Sequence, residues 1–208
     1  MIRGVAFASC YIYSPAGANV ICKCSRLMRA LLKAGDAQFM QRYAARVRQQ
    51  VEQATQLAGY FLPQDVLVPV PGSTPKAGGI WVAAELAQAL VQAGLGSKSW
   101  PGLRRISAVR KSATAVQGAR PTVALHYQSF RIEQPPFCAD SVVLIDDVVT
   151  RGRTLLAAAA RAREAFPDAQ IRTFALLRTM GFLTDIPRLL EPCRGEIRWR
   201  AGDARRIP

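Results

Sequence analysis

The stretch VVLIDDVVTRGRTL, residues 142–155, decides how the rest of the chain is read. Four apolar residues, Val142 to Ile145, run directly into two carboxylates, Asp146 and Asp147. Two valines follow. The turn Thr150-Arg151-Gly152-Arg153-Thr154 then opens onto an alanine-rich helix. A short unbroken apolar run predicts a strand buried on both faces, as in a parallel sheet between helices. Paired acids at the end of such a strand are costly to bury without a partner. In open parallel sheets, ligands bind outside the carboxyl ends of the strands, and that is where both acids fall. The turn after them sits at a helix start, whose unpaired N–H groups and positive dipole end favour an anion. Gly152 lets the backbone wrap closely there, and the two threonine hydroxyls add donors. Carboxylates accept hydrogen bonds from sugar hydroxyls or organise a hydrated Mg2+. A sugar phosphate with vicinal hydroxyls suits both halves of the segment. Thr150 acting as a plain helix N-cap explains the threonine but not the two acids. The P-loop string G-x-x-x-x-G-K-[ST] is absent.

Outward from this segment the pattern alternates between strand and helix. IRTFALLRT (171–179) reads as the next strand, after a helix over RTLLAAAARAREAF (153–166). Upstream, DVLVPVP (65–71) is a short apolar strand, and GGIWVAAELAQALVQAG (78–94) is a helix that stops at a glycine. PGLRRI (101–106) is a short strand, residues 107–122 a basic loop, and VALHYQSFRIE (123–133) strand-like by its alternation. SVVLIDD (141–147) is the buried strand that carries the acids. Residues 26–60 have apolar positions at helical spacing: Leu27, Leu31, Leu32, Phe39, Tyr43, Val47, Val51 and Leu57. They predict amphipathic helices broken at Gly35-Asp36. The fold class is α/β, a parallel sheet covered on both faces.

Composition narrows the setting. At 208 residues, half of them hydrophobic, the chain is long enough for one α/β domain with an extension. No apolar run reaches the roughly 20 residues that span a bilayer, so no membrane role is expected. The first residues lack the continuous apolar core of a signal peptide, and a cytoplasmic location is expected. Five cysteines, an odd number, fit free thiols. Twenty-eight Lys and Arg against 14 Asp and Glu give a net charge of +14. The excess is uneven: residues 100–125 hold Arg104, Arg105, Arg110, Lys111 and Arg120 and no acid. Such a balance suits an anionic partner, a phosphorylated small molecule or nucleic acid, although Arg as a solvated surface residue also accounts for part of it.

VVLIDDVVTRGRT resembles the phosphoribosyl-pyrophosphate (PRPP) signature of type I phosphoribosyltransferases in every class of position. The wider order, with VLVPVPG some 70 residues upstream and a basic loop between, resembles the ComF-like branch of that family. The likeness covers roughly residues 65–180. Two features depart from the branch. Cys10, Cys22 and Cys24 do not form a paired C-x2-C set, so no zinc is predicted. GSTPKAGGIW stands where an Arg-Gly-Phe-Asn stretch is usual.

The resemblance implies a phosphoribosyltransferase-like domain over 63–208, with a small hood over about 178–208, and a mostly helical extension over 1–62 packed on the core. It implies that Asp146 and Asp147 contact the ribose hydroxyls and that Thr150, Arg151, Gly152, Arg153 and Thr154 bind the 5′-phosphate. Gly72, Ser73, Thr74 and Lys76 match the pyrophosphate loop, with Lys76 as the point charge for pyrophosphate and a solvated loop lysine as the lesser alternative. Arg110, Lys111 and Arg120 lie on the segment that matches a mobile loop. They suit the neutralisation of a leaving pyrophosphate. No metal site made of protein ligands alone is expected, because Mg2+ is held mainly through PRPP. The implied activity is Mg2+-dependent transfer of ribose-5-phosphate from PRPP to a nucleobase-like or amine acceptor. The alternative is a PRPP- or nucleotide-binding protein without catalysis that contacts nucleic acid in DNA uptake or processing. A homodimer is left open. His126, the sole histidine, is expected to be structural rather than a base, and Cys138 and Cys193 free thiols. Trp81 and Trp199 are expected in the core or hood.

Overall fold

The structure, a computed structural model, describes residues 2–53, 55–74, 80–109, 121–181 and 183–207. In chain order its elements are β1 (Gly4–Tyr13), α1 (Val20–Ala34), α2 (Ala37–Glu52), β2 (Val66–Pro69), α3 (Val82–Gln92), β3 (Lys98–Ser99) and β4 (Leu103–Arg105). There follow α4 (Val123–Ser129), β5 (Phe130–Ile132), β6 (Ser141–Val149), α5 (Arg153–Ala165), β7 (Gln170–Thr179), β8 (Leu190–Arg200) and β9 (Asp203–Ile207). Seven strands form one sheet in the order β3-β2-β6-β7-β1-β8-β9, and β4 pairs with β5 in a separate ribbon. The five strands from β3 to β1 run parallel, and β8 and β9 continue the sheet antiparallel.

The pleat of β6 shows why its apolar run is continuous. Val142 and Leu144 pack in one core with α5, while Val143 and Ile145 pack in the other with α1, α2 and α3. Both faces are dry, so alternation with polar residues has no place in this strand. On α5, Leu155 and Leu156 and the alanines 157–160 are buried. Side chains as small as alanine let a helix lie close to a sheet. The helix break at Gly35-Asp36 also follows from local chemistry. Gly35 ends α1 in the left-handed region, φ 72°, and the Asp36 side chain accepts from the Phe39 N–H to start α2.

Several elements differ from what the sequence predicts. β1 is a strand inside the sheet, between β7 and β8, rather than part of a helical extension. Residues 190–207 do not stand apart as a hood. They add β8 and β9 to the sheet and so cover an edge of β1 that would otherwise expose unpaired backbone groups. Over 123–133 only Phe130–Ile132 are strand. Val123–Ser129 form a helix capped by the Thr122 hydroxyl, with Val123, His126 and Ser129 buried at three-residue spacing. β6 runs two residues further than predicted, to Val149, which pairs with Arg178. The acids therefore lie two residues inside the strand's end rather than at it.

Candidate functional site

The chain leaves two neighbouring strands in opposite directions. From β2 it passes through α3 to β3 on one side, and from β6 through α5 to β7 on the other. α3 and α5 cover opposite faces of the sheet. A crevice forms outside the carboxyl ends at such a switch point, and this is where open α/β sheets bind ligands. Residues 70–74 enter it from β2, and residues 146–154 enter it from β6.

The segment after β2 is held by its backbone. Val70 N–H donates to Ile145 O at 2.8 Å, and the Trp81 indole N–H donates to Val70 O at 3.1 Å. Val109 N–H reaches Ser73 O at 2.8 Å. Arg105, nearly buried, donates to the carbonyls of Pro71 and Gly72 and to the Ser129 hydroxyl, and its guanidinium lies 4.2 Å from the centre of the Phe130 ring. Burial pushes the Arg105 pKa down to about 10, against the pull of nearby Asp146, so it stays a cation at neutral pH. A methyl added at Gly72 would meet no atom within 4 Å. Described peptide bonds are all trans.

The two acids have different surroundings. Asp146 accepts from the Asp147 N–H at 2.8 Å. Burial, then the neighbouring Asp147 charge, hold its carboxyl well above the ordinary carboxylate range, with Lys33 opposing. Lys33 sits in the last turn of α1, where the helix dipole favours a cation. Its Nζ lies 2.5 Å from Asp147 Oδ2. That oxygen is buried, and no hydrogen bond of ordinary angle reaches it. The ion pair is therefore its compensation among the described residues.

In the turn, Thr150 and Arg151 are exposed and Gly152 is the N-cap of α5. Two facts require glycine there. Its φ is 87°, and a Cβ would stand 2.7 Å from Ile197 Cδ1. No side chain caps α5 and no acid lies in its first turn, so among the described residues no side chain accepts from its N-terminal N–H groups. The Arg151 and Arg153 side chains turn toward Asp203 of β9. Arg153 Nε is 2.5 Å from Asp203 Oδ1, Arg153 Nη2 is 2.5 Å from Oδ2, and Arg151 Nη1 is 3.2 Å from Oδ2. This leaves the backbone and the hydroxyls of Thr150 and Thr154 as the turn's donors toward an anion.

The structure thus places Gly72, Ser73 and Thr74 after β2, and Asp146, Asp147 and Thr150 to Thr154 near and after the end of β6, at the carboxyl ends of neighbouring parallel strands. Lys76, Arg110, Lys111 and Arg120 lie outside the described residues. Three groups from distant elements join the site without any sequence signal that singled them out: Lys33, Arg105 and Asp203. His126 is buried, neither ring nitrogen has a hydrogen-bond partner among the described residues, and burial with the charges of Arg105 and Arg153 lowers its pKa to about 4. All five cysteines are free thiols. Trp81 begins α3, and Trp199 is partly exposed on β8. Among the described residues no group of three or more His, Cys, Asp or Glu could hold a metal ion, and no helix is long and apolar enough to cross a membrane. No model of a known protein family matches the chain, and no curated protein matches it significantly.

Proposed function

We propose that the protein is a phosphoribosyltransferase that uses PRPP and Mg2+ and passes ribose-5-phosphate to a nucleobase-like or amine acceptor. The observation that carries this is the adjacency of the β2 and β6 carboxyl ends at the switch point of the sheet. A carboxylate pair on β6 and an uncapped helix start at Gly152 stand beside a backbone loop after β2, at the switch point of a parallel sheet. These are the donors and acceptors that a sugar hydroxyl pair and two separate phosphate groups require.

In this mechanism the 5′-phosphate accepts from the first N–H groups of α5 and from the Thr150 and Thr154 hydroxyls. Asp146 and Asp147 accept from the ribose hydroxyls. Burial and the neighbouring Asp147 charge raise the Asp146 pKa, which favours its protonated, hydroxyl-donating form more than in an ordinary carboxylate. A hydroxyl bound at Asp147 Oδ2 takes the place of Lys33. Half of the Lys33 side chain is exposed, which leaves its ammonium free to swing toward a phosphate oxygen. Gly72, Ser73 and Thr74 receive the pyrophosphate, and Arg105 fixes their backbone from below. Mg2+, when bound, would be held mainly through PRPP and would neutralise charge on the pyrophosphate. As the C1–O bond breaks and the bond to the acceptor forms, charge grows on the departing pyrophosphate. Arg110, Lys111 and Arg120 are assigned to that charge.

The test is pyrophosphate release from PRPP and Mg2+ with a panel of bases and amines. Release that depends on one acceptor supports the enzyme. A second reading draws on the outer side of α1 and α2, where Lys23, Arg42, Arg46 and Arg48 are exposed. PRPP binding without release, with DNA binding that weakens steeply in salt, would replace transfer by a non-enzymatic nucleotide and nucleic-acid binding role.

A further inference from the structure

A second cavity, of about 650 Å3, lies where β7 ends and β8 begins. Arg178, Met180, Glu191, Pro192, Cys193 and Arg206 are among its walls. It uses none of the groups described above. Its charges do not balance. Arg178 is 3% exposed and holds Glu191 through Nη2 at 2.5 Å, and it also donates to the Ser9 hydroxyl at 3.2 Å. The other Glu191 oxygen lies 3.3 Å from Arg188 Nε. Glu191 is therefore fully engaged. Arg206 lies over the Phe7 ring, 5.4 Å from its centre, and spends one nitrogen on the Thr179 carbonyl. Its Nε and Nη1 are buried with no hydrogen-bond partner among the described residues. Burial and the Arg178 charge pull its pKa down. A guanidinium with two unmet donors beside another buried cation is an unfavourable arrangement for the protein alone. An oxyanion in the cavity would reverse it, since a guanidinium fork bonds carboxylate or phosphate through two nitrogens at once.

The size of the cavity says what else the ligand carries. Pocket volumes of about 300–1,000 Å3 suit small organic molecules rather than single ions. Met180, Pro192 and Cys193 supply apolar wall. A smaller cavity of about 500 Å3 adjoins it and shares Gln56, Pro192 and the exposed Arg194. We propose that this cavity is a binding site for a small organic oxyanion, a carboxylate or phosphate monoester on an apolar body, held by Arg206 and met at the mouth by Arg194. The Arg206 fork turns its free nitrogens into the cavity as the ligand enters.

Benzoate and phenyl phosphate share one apolar body and test the two anion chemistries. Binding of each to the whole protein is measured by calorimetry and by the shift in melting temperature. At least one is expected to bind the wild type, with affinity lowered at least about tenfold by Arg206→Met and by a smaller factor by Arg194→Ala. Binding of only one probe assigns the chemistry, and binding of both assigns a general oxyanion site. Asp147→Asn is expected to leave this binding unchanged, which separates it from PRPP recognition. Should Arg206→Met fail to fold, Arg194→Ala, at an exposed position, carries the comparison. No binding to the wild type, or equal affinity in every folded Arg variant, overturns the site.

Discussion

Two buried acid sites stand at opposite ends of the same strands, and they are built on different terms. At the amino end, Asp65 is fully buried just before β2. Its Oδ1 lies 2.5 Å from Arg172 Nη2, and its Oδ2 accepts from the Leu62 N–H at 2.7 Å. Arg172 also bonds the Ser141 hydroxyl and the Tyr60 carbonyl, and of its nitrogens only Nε lacks an acceptor. At the carboxyl end, Asp146 and Asp147 face one another's charge, and one buried oxygen has only a half-exposed lysine beside it. The first site is a closed network that joins β2, β6 and β7. The second is left under-satisfied, which is what the proposed receipt of ribose hydroxyls would require.

Four experiments break or sharpen this contrast. Asp65→Ala removes one partner of a closed buried pair and is expected to destabilise the fold by about 3–5 kcal/mol in chemical denaturation. Asp147→Asn is expected to change stability by less than about 1 kcal/mol, because its partner lysine is half exposed. The same variant is expected to raise the barrier of PRPP turnover by about 3 kcal/mol, a rate loss of about a hundredfold. Equal stability losses at Asp65 and Asp147 would erase the distinction between the two ends. Gly152→Ala places a Cβ at φ 87° against Ile197, and a stability loss of about 1–3 kcal/mol is expected. The fourth is a pH series. The His126 pKa is lowered from 6.5 to about 4 in the fold, so the unfolded chain binds more protons between those values. Stability therefore falls as pH drops through 6.5, by on the order of 1 kcal/mol from pH 7 to pH 6. His126→Gln is expected to flatten that part of the melting-temperature profile. Asp146 acts with the opposite sign, since its raised pKa loses stability as pH rises above 3.8, and Asp146→Asn separates the two.

What was legible in the sequence was local. The strand, turn and helix over 142–166 are contiguous, and their order of apolar, acidic and glycine residues has a physical reason at each step. The α/β alternation and the helix break at Gly35-Asp36 were readable for the same reason. The seven residues of α4 were not, since L-H-Y-Q alternates in polarity while the buried positions of the helix repeat every three. GVAFASCYIY gave no sign that it lies inside the sheet, because its partners come from residues 170–200. Lys33, Arg105 and Asp203 were invisible as site residues for the same cause. Each is an ordinary charged residue until folding carries it across the molecule. The under-satisfied end was half legible: the acids show in the sequence, but their counter-ions do not.

The placement of β1 has a consequence for synthesis. Its first hydrogen-bonded neighbour, β7, begins 157 residues after β1 ends. At translation rates of roughly 5–20 residues per second, that strand waits on the order of 10–30 s for a partner. Throughout that interval Phe7, Cys10 and Ile12, all fully buried at the end, have nothing of the final sheet to pair beside. A nascent chain stalled before β7 therefore presents an unpaired apolar strand, and factors that shield such strands gain their longest window on this protein there.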